Sequence, residues 1–220
     1  MRFAAASAFI LAGLCAPAHA VSIDFTDRSV WSSAASTTTV LGALVTLSSN
    51  PAGQINFNQD FDGAPALSPF CGEFACVSDG LGVRDDEITT TETFTQSVTV
   101  SFSKAVRVVG FAFLDLFVSR DGGTREVAQV AFDGGPVSLS FDAVETVGGG
   151  RPGFLRVAIP GVTASSITFT ADLGNDAVGR ADFALAGIDV APIPLPAAGW
   201  MLVGALGGMA LLRRKRAAAA

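Results

Sequence analysis

Apolar and polar residues alternate through much of this chain with a period of two. Phe94, Val98, Val100 and Phe102 are interleaved with Thr and Ser, giving one apolar and one polar face, as a half-buried strand requires. Leu155, Val157 and Ile159 repeat the pattern, followed by Ile167 and Phe169, then by Phe183, Leu185 and Ile188 to Val190. Val106 to Phe117 is almost continuously apolar, the pattern of a central strand covered on both faces. Val127 to Phe132 and Val137 to Phe141 flank Asp133-Gly134-Gly135-Pro136, a hairpin signal. Nearer the start, Val21 to Phe25 and Val40 to Leu47 read as strands, Gln54 to Phe57 as a short one, and Asp27 to Ala35 as one or two helical turns. These add up to about nine to eleven strands with no amphipathic helix of useful length. They predict an all-β fold, an antiparallel β-sandwich of jelly-roll type over residues 21–190. Asn58 to Asp86 interrupts the pattern. Gly63, Pro65, Pro69, Gly72, Gly80 and Gly82 punctuate it, and a loop so long is expected to be functional or stapled.

Both ends carry a different pattern. Arg2, an apolar run from Phe3 to Leu14 and the small-x-small triplet Ala18-His19-Ala20 form a secretory signal peptide over residues 1–20, cleaved before Val21. Cys15 invites a lipoprotein reading, but Leu14 stands where a small residue would be needed. At the other end, Pro192, Pro194 and Pro196 fix φ and remove donors, making an extended spacer. Ala197 to Leu212 then holds sixteen uncharged residues, and Arg213, Arg214, Lys215 and Arg216 form a basic stop. Sixteen residues fall short of the ~20 that cross a bilayer core, although snorkelling arginines extend a short span. The reading is a single transmembrane helix near 197–212, with the basic stop in the cytoplasm and the preceding domain outside.

The order Pro194-Leu195-Pro196-Ala197-Ala198-Gly199-Trp200, short apolar helix, Arg-rich end resembles the PEP-CTERM sorting signals of Gram-negative bacteria, in the variant named for Val-Pro-Leu-Pro-Ala. Ile193 stands where that variant usually shows Val, and the Glu of the parent Pro-Glu-Pro form is missing. The resemblance makes residues 191–216 a sorting signal with Pro194, Leu195, Pro196 and Ala197 as its motif. It implies recognition and cutting by a membrane-embedded exosortase, hence an inner-membrane intermediate followed by release to the cell surface or extracellular matrix. The family is associated with exopolysaccharide and biofilm. A looser resemblance runs from Gly80-Leu81-Gly82-Val83 and Asp85-Asp86-Glu87-Ile88 through Gly110 to Asp115 and Ala181-Asp182-Phe183, to a module of unassigned role that recurs before such tails.

Charge narrows the partners. All 20 Asp and Glu lie between the two end segments, against nine Lys and Arg once Arg2 and the four tail cations are set aside, a net of −11. This disfavours nucleic acid, and none is expected as a partner, because phosphate binding needs clustered cations. Cys71 and Cys76 read as a local disulfide in an oxidising compartment; a zinc site would want two further ligands. The sole histidine, His19, leaves with the signal peptide, so Ser-His-Asp and Cys-His catalysis are excluded from the mature chain.

Candidate chemistry is confined to carboxylates. Asp85, Asp86, Glu87 and Glu92 crowd between a glycine loop and a strand, and read either as a solvated acidic turn or as a structural Ca²⁺ site. No other cofactor is expected. Glu87, Glu92 and Asp115 offer the two carboxylates of a glycosidase, though nothing in their spacing requires it. Asp115 within Phe111 to Phe117 reads as a strand-end residue in a hydrogen-bonded turn with Ser119 or Arg120. Gly148-Gly149-Gly150 lacks the strand–glycine–helix setting of a phosphate loop. Two functions follow. The first is a non-enzymatic surface or matrix protein with polysaccharide as its partner; the alternative is an extracellular carboxylate-dependent hydrolase acting on polysaccharide. With no Tyr and Trp31 the one Trp before the tail, sugar-stacking platforms are scarce in the sequence.

Overall fold

A computed structural model describes residues 19–32, 36–57, 60–61, 67–175 and 180–193. Ala18, the motif Pro194 to Ala197, the apolar helix near 197–212 and the basic stop Arg213 to Arg216 lie outside the described residues. Ala20 directly precedes the first strand.

The strands are β1 (Val21–Asp24), β2 (Thr37–Val40), β3 (Ala43–Asn50), β4 (Ile55–Asn56), β5 (Gly82–Val83), β6 (Thr90–Thr91) and β7 (Ser97–Leu114). They continue as β8 (Phe117–Val118), β9 (Val127–Phe132), β10 (Val137–Asp142), β11 (Glu145–Thr146), β12 (Leu155–Ala171), β13 (Arg180–Ala181) and β14 (Ala184–Ala191). The only helical pieces among the described residues are two short 3₁₀ turns, Ser68–Cys71 and Leu173–Asn175. No helix among the described residues is long and apolar enough to cross a membrane. The segment after β1 expected to be helical forms a turn, with Trp31 N–H donating to Asp27 O at 3.0 Å, and no helix is assigned there; residues 33–35 lie outside the described residues. Pairing is antiparallel throughout except for the parallel pair β8–β11.

The architecture turns on two long strands. The sequence separates Phe94–Phe102 from Val106–Phe117, and Leu155–Ile159 from Ile167–Phe169. The structure joins each pair into one strand, β7 of 18 residues and β12 of 17. Their shared register shifts between Ala158 and Val162, at Pro160-Gly161, and again between Ala164 and Ser166. Such bulges bend a strand without ending it. One half of β7 pairs with β3 and the other with β14, so a single sheet runs β1-β14-β7-β12-β9-β10, with β3 and β2 joined at β7.

The two halves of that sheet face each other across a phenylalanine core. Phe111 on the β14 side meets Phe169 edge-on at 5.6 Å, and Phe132 and Phe141 at 6.3 and 5.7 Å. Phe113 packs edge-on against Phe183 at 5.4 Å. Alternation explains the arrangement: Phe111 and Phe113 point inward, whereas Ala112 and Leu114 point to the opposite face. That opposite face is also covered, by Cys71, Phe74 and Cys76. The two-sided burial accounts for the unbroken apolar run.

The cover is the long irregular loop. Cys71 and Cys76 form the expected disulfide, and both are buried. Asp24 and Thr26 tie the loop to the end of β1: Ala75 N–H donates to Asp24 Oδ2 and Cys76 N–H to Thr26 Oγ1, each at 2.8 Å. Gly187 on β14 is glycine because Phe74 occupies the place of its side chain; a Cβ there would lie 2.2 Å from the ring. The Asp133-Gly134 hairpin forms as expected, with both residues at positive φ and Gly135 N–H bonded to Phe132 O at 2.9 Å.

Candidate functional site

The acidic segment after β5 does not act as one cluster. Three neighbours fix its path. Val83 N–H donates to Glu87 O at 2.9 Å, Arg84 N–H to Gln54 O at 2.7 Å, and Ile88 N–H to Phe183 O at 2.7 Å. Gly82 lies under this turn, where a Cβ would fall 2.1 Å from the Asp86 carbonyl carbon and 2.3 Å from Glu87 N. The turn therefore requires glycine at its base. Glu92 ends up exposed at the following bend. Asp85 turns to a surface cavity, and Glu87 reaches a different set of carboxylates. Among the described residues no three Cys, Asp or Glu are placed to hold a metal ion. The four-carboxylate Ca²⁺ set is thus not assembled among the described residues, because the turn between Val83 and Glu87 sends Asp85 and Glu87 to different neighbours and Glu92 lies beyond it at an exposed bend.

Glu87 instead joins two residues that local sequence does not single out. The Ile88–Phe183 bond and the Thr90–Ala181 pairing set a register in which Thr89 stands opposite Asp182. Asp182 is buried, and it hydrogen-bonds Glu126 on the segment entering β9. Glu126 is locked from both sides, since its N–H donates to Phe117 O at 3.0 Å and its Oε2 accepts from Phe117 N–H at 2.6 Å. Burial, together with the negative charges of Asp182 and Glu87, pushes the Glu126 carboxyl up to about 9, against the pull of the Phe117 amide. Glu126 therefore keeps its proton at neutral pH and shares a carboxyl–carboxyl hydrogen bond with Asp182. Asp182 is buried and Glu126 half-buried. Hydrogen-bonded to each other, the two carboxyls lack the separation of roughly 5–9.5 Å across a cleft that glycosidic hydrolysis needs.

Asp115 closes β7 with φ +53°, its N–H donating to Pro152 O at 3.1 Å. It stands at the strand end, as expected, but its main-chain bond goes to Pro152 and not to the Ser119–Arg120 stretch. The turn partner is the loop before β12: Gly153 packs so close that a Cβ there would lie 2.9 Å from the Asp115 Cα.

Asp85 belongs to the surface feature with the richest chemistry. Two adjoining cavities of about 410 and 290 Å³ share Arg84, Phe94 and Gln96 as walls. Asn50, Pro51 and Thr95 complete the larger; Asp85, Thr89 and Thr91 complete the smaller. Each wall is positioned from behind. Arg84 holds a left-handed φ of +73°, which its bonds to Gln54 maintain, through the main chain and through Nε to Oε1. Non-glycine residues kept in that region concentrate at ligand sites. Gln96 is buried, and its side-chain oxygen accepts from Thr89 N–H at 2.8 Å. Thr91 and Phe94 close a tight turn, Thr91 N–H to Phe94 O at 2.8 Å, which lifts the Phe94 ring to 47 % exposure. Asp85 Oδ1 and Thr89 Oγ1 lie buried beside the cavity without a hydrogen-bond partner. The sequence signal was present in Phe94, but its alternation with Val98 suggested a core residue.

The fold and this groove define an all-β module with a polar surface cleft walled by one aromatic ring. No family model matches the chain, and no curated protein does. Among solved structures it is similar to a family 32 carbohydrate-binding module from Clostridium perfringens NanJ in complex with galactose. The identity is 19 %, over 67 % of this chain and 93 % of that one, with a TM-score of 0.34. A second Clostridium perfringens module, CpGH89CBM32-5 in complex with GalNAc-β-1,3-galactose, shares 13 % over 66 % and 94 %, TM-score 0.30. A chitosan-binding module from a Paenibacillus sp. IK-5 chitosanase/glucanase shares 12 % over 66 % and 89 %, TM-score 0.24. At TM-scores this low, none of the three bears on the reading that follows.

Proposed function

We propose that this chain is an exported β-module that binds extracellular polysaccharide without hydrolysing it, delivered through its C-terminal sorting signal. The observation that carries the reading is the distribution of carboxylates. Among the described residues the surface groove is lined by one carboxylate, Asp85, whereas the carboxyls of Glu126, half-buried, and Asp182, buried, are hydrogen-bonded to each other away from it. A hydrolase of the two-carboxylate kind needs both groups on one cleft. The buried Cys71–Cys76 disulfide supports an oxidising, extracytoplasmic setting. The net charge of −11 in residues 21–196 supports a partner that is not itself a strong polyanion. In this account the tail after Pro192 is an address: an exosortase-type protease removes it from an inner-membrane intermediate and leaves the sandwich at the cell surface or in the matrix.

The test uses the mature protein in native gels cast with each of a panel of polysaccharides, alongside a reducing-end assay on the same substrates. The expected result is retarded migration in at least one gel and no new reducing ends. Release of reducing ends that disappears in Glu87→Gln or Asp115→Asn would replace the binding reading with the hydrolase one.

A further inference from the structure

We infer that the groove between Phe94 and Arg84 is a subsite for a neutral pyranose unit of a glycan, an assignment that rests on the polysaccharide-binding reading above.

The argument starts with Phe94. Most phenylalanines of the fold are buried, and the two among the described residues that are strongly exposed are Phe70, at 41 %, and Phe94, at 47 %. Phe70 is covered by a cation, since the Arg151 guanidinium sits 4.4 Å from its ring centre. On Phe94 no aromatic ring or guanidinium is stacked among the described residues. What sets Phe94 apart from other exposed apolar side chains is its place: a hydrogen-bonded turn holds the ring out as a wall shared by both cavities.

The walls beside it name the partner's chemistry. Next to the ring stand a guanidinium (Arg84), a carboxylate (Asp85), an amide (Gln96) and two hydroxyls (Thr89, Thr91). A lipid or an apolar peptide would desolvate the Arg84 guanidinium and the Asp85 carboxylate without pairing them. A pyranose satisfies both halves. Its axial C–H bonds give one apolar face to lie on the ring, and its rim hydroxyls each donate and accept, matching a mixed set of charged and neutral groups. Asp85 Oδ1 and Thr89 Oγ1, buried just behind the cavity wall, have no hydrogen-bond partner among the described residues and mark polar capacity that the protein leaves unused.

Size and charge restrict the ligand further. Cavities of about 410 and 290 Å³ lie near the small end of the range for ligand sites, roughly 300–1,000 Å³. Two adjoining cavities meeting at one ring suit two successive sugars of a chain. A polyanionic glycan is disfavoured, since Arg84 commits its Nε to Gln54 and shares the groove with Asp85 on a domain of net charge −11.

The experiment compares the mature protein with Phe94→Ala, Phe94→Trp and, as a control aromatic, Phe70→Ala. Affinity electrophoresis with neutral glycans is paired with saturation-transfer NMR on methyl β-D-glucopyranoside and an N-acetylglucosamine oligomer. All four proteins should melt alike, because both rings are exposed. Phe94→Ala should bind about tenfold more weakly or worse, as expected for an aromatic anchor, whereas Phe94→Trp and Phe70→Ala stay near wild type. Saturation should be strongest on the hydrogens of one sugar face. Glycan binding that Phe94→Ala leaves intact would overturn the subsite while sparing the module. Retention by polyuronates alone would overturn the assignment to neutral sugars. Failure of wild type to bind any glycan would overturn both readings together.

Discussion

Replacing Glu126 by Gln should change how stability depends on pH. The carboxyl titrates at about 9 in the folded chain against an ordinary value of 4.5, so between those limits the folded state holds a proton that the unfolded state has lost. With more protons bound when folded, stability falls as pH rises through that window and levels off above about pH 9. One proton sets a ceiling near 1.4 kcal/mol per pH unit. Partial exposure and coupling to Asp182 lower the slope beneath that ceiling. In a domain of this size about 1 kcal/mol corresponds to roughly 2–4 °C in Tm, so a few pH units are enough to see it. Gln keeps an oxygen for the Phe117 amide and a donor for Asp182, but has no proton to lose. Denaturant titrations at pH 5, 6, 7 and 8 should show wild type losing stability with rising pH and Glu126→Gln losing less, the difference widening upward. Asp121 and Asp133, held below the usual carboxylate range by hydrogen bonds to serine and backbone N–H groups, lose their contribution on the acid side and do not blur this window. Parallel curves for the two proteins would refute the internal protonated carboxyl.

Three further perturbations test the fold beneath the groove. Gly82→Ala places a Cβ 2.1 Å from backbone of the Asp85–Glu87 turn and should cost about 2 kcal/mol or more, with weakened groove binding, read by thermal melting and affinity electrophoresis. Phe111→Ala empties the centre of the phenylalanine core and should cost about 3–5 kcal/mol in denaturant titration. Replacing Cys71 and Cys76 by Ser opens a short loop and should cost about 2 kcal/mol, a loss that reductant reproduces in wild type and does not deepen in the variant.

Much of the fold was legible because it rests on local patterning. Alternation through Val98, Val100 and Phe102 marks the inner face of β7, and Asp133-Gly134 supplies the positive φ angles that its hairpin demands. The C-x4-C spacing pointed to the disulfide that the structure forms. What stayed hidden depends on pairing between distant residues. Ser103-Lys104-Ala105 carries no breaker, yet only the register against β12 shows that β7 bends there instead of ending. Asp85 to Glu87 reads as one acidic knot, and the turn that carries them sends its members to different places. Glu126 and Asp182 lie 56 positions apart, and no local motif could join them. Phe94 continues the apolar alternation of β7, but the turn before that strand sets it outside.

The most direct test of the account is to fractionate the producing cells and ask where the protein resides and what frees it. Recovery from the extracellular matrix, release by enzymes that digest neutral glycans, an N-terminus at Val21 and loss of Arg213 to Arg216 are the expected results. A chain that stays in the membrane fraction with its basic end intact, and that glycan digestion does not release, would contradict it.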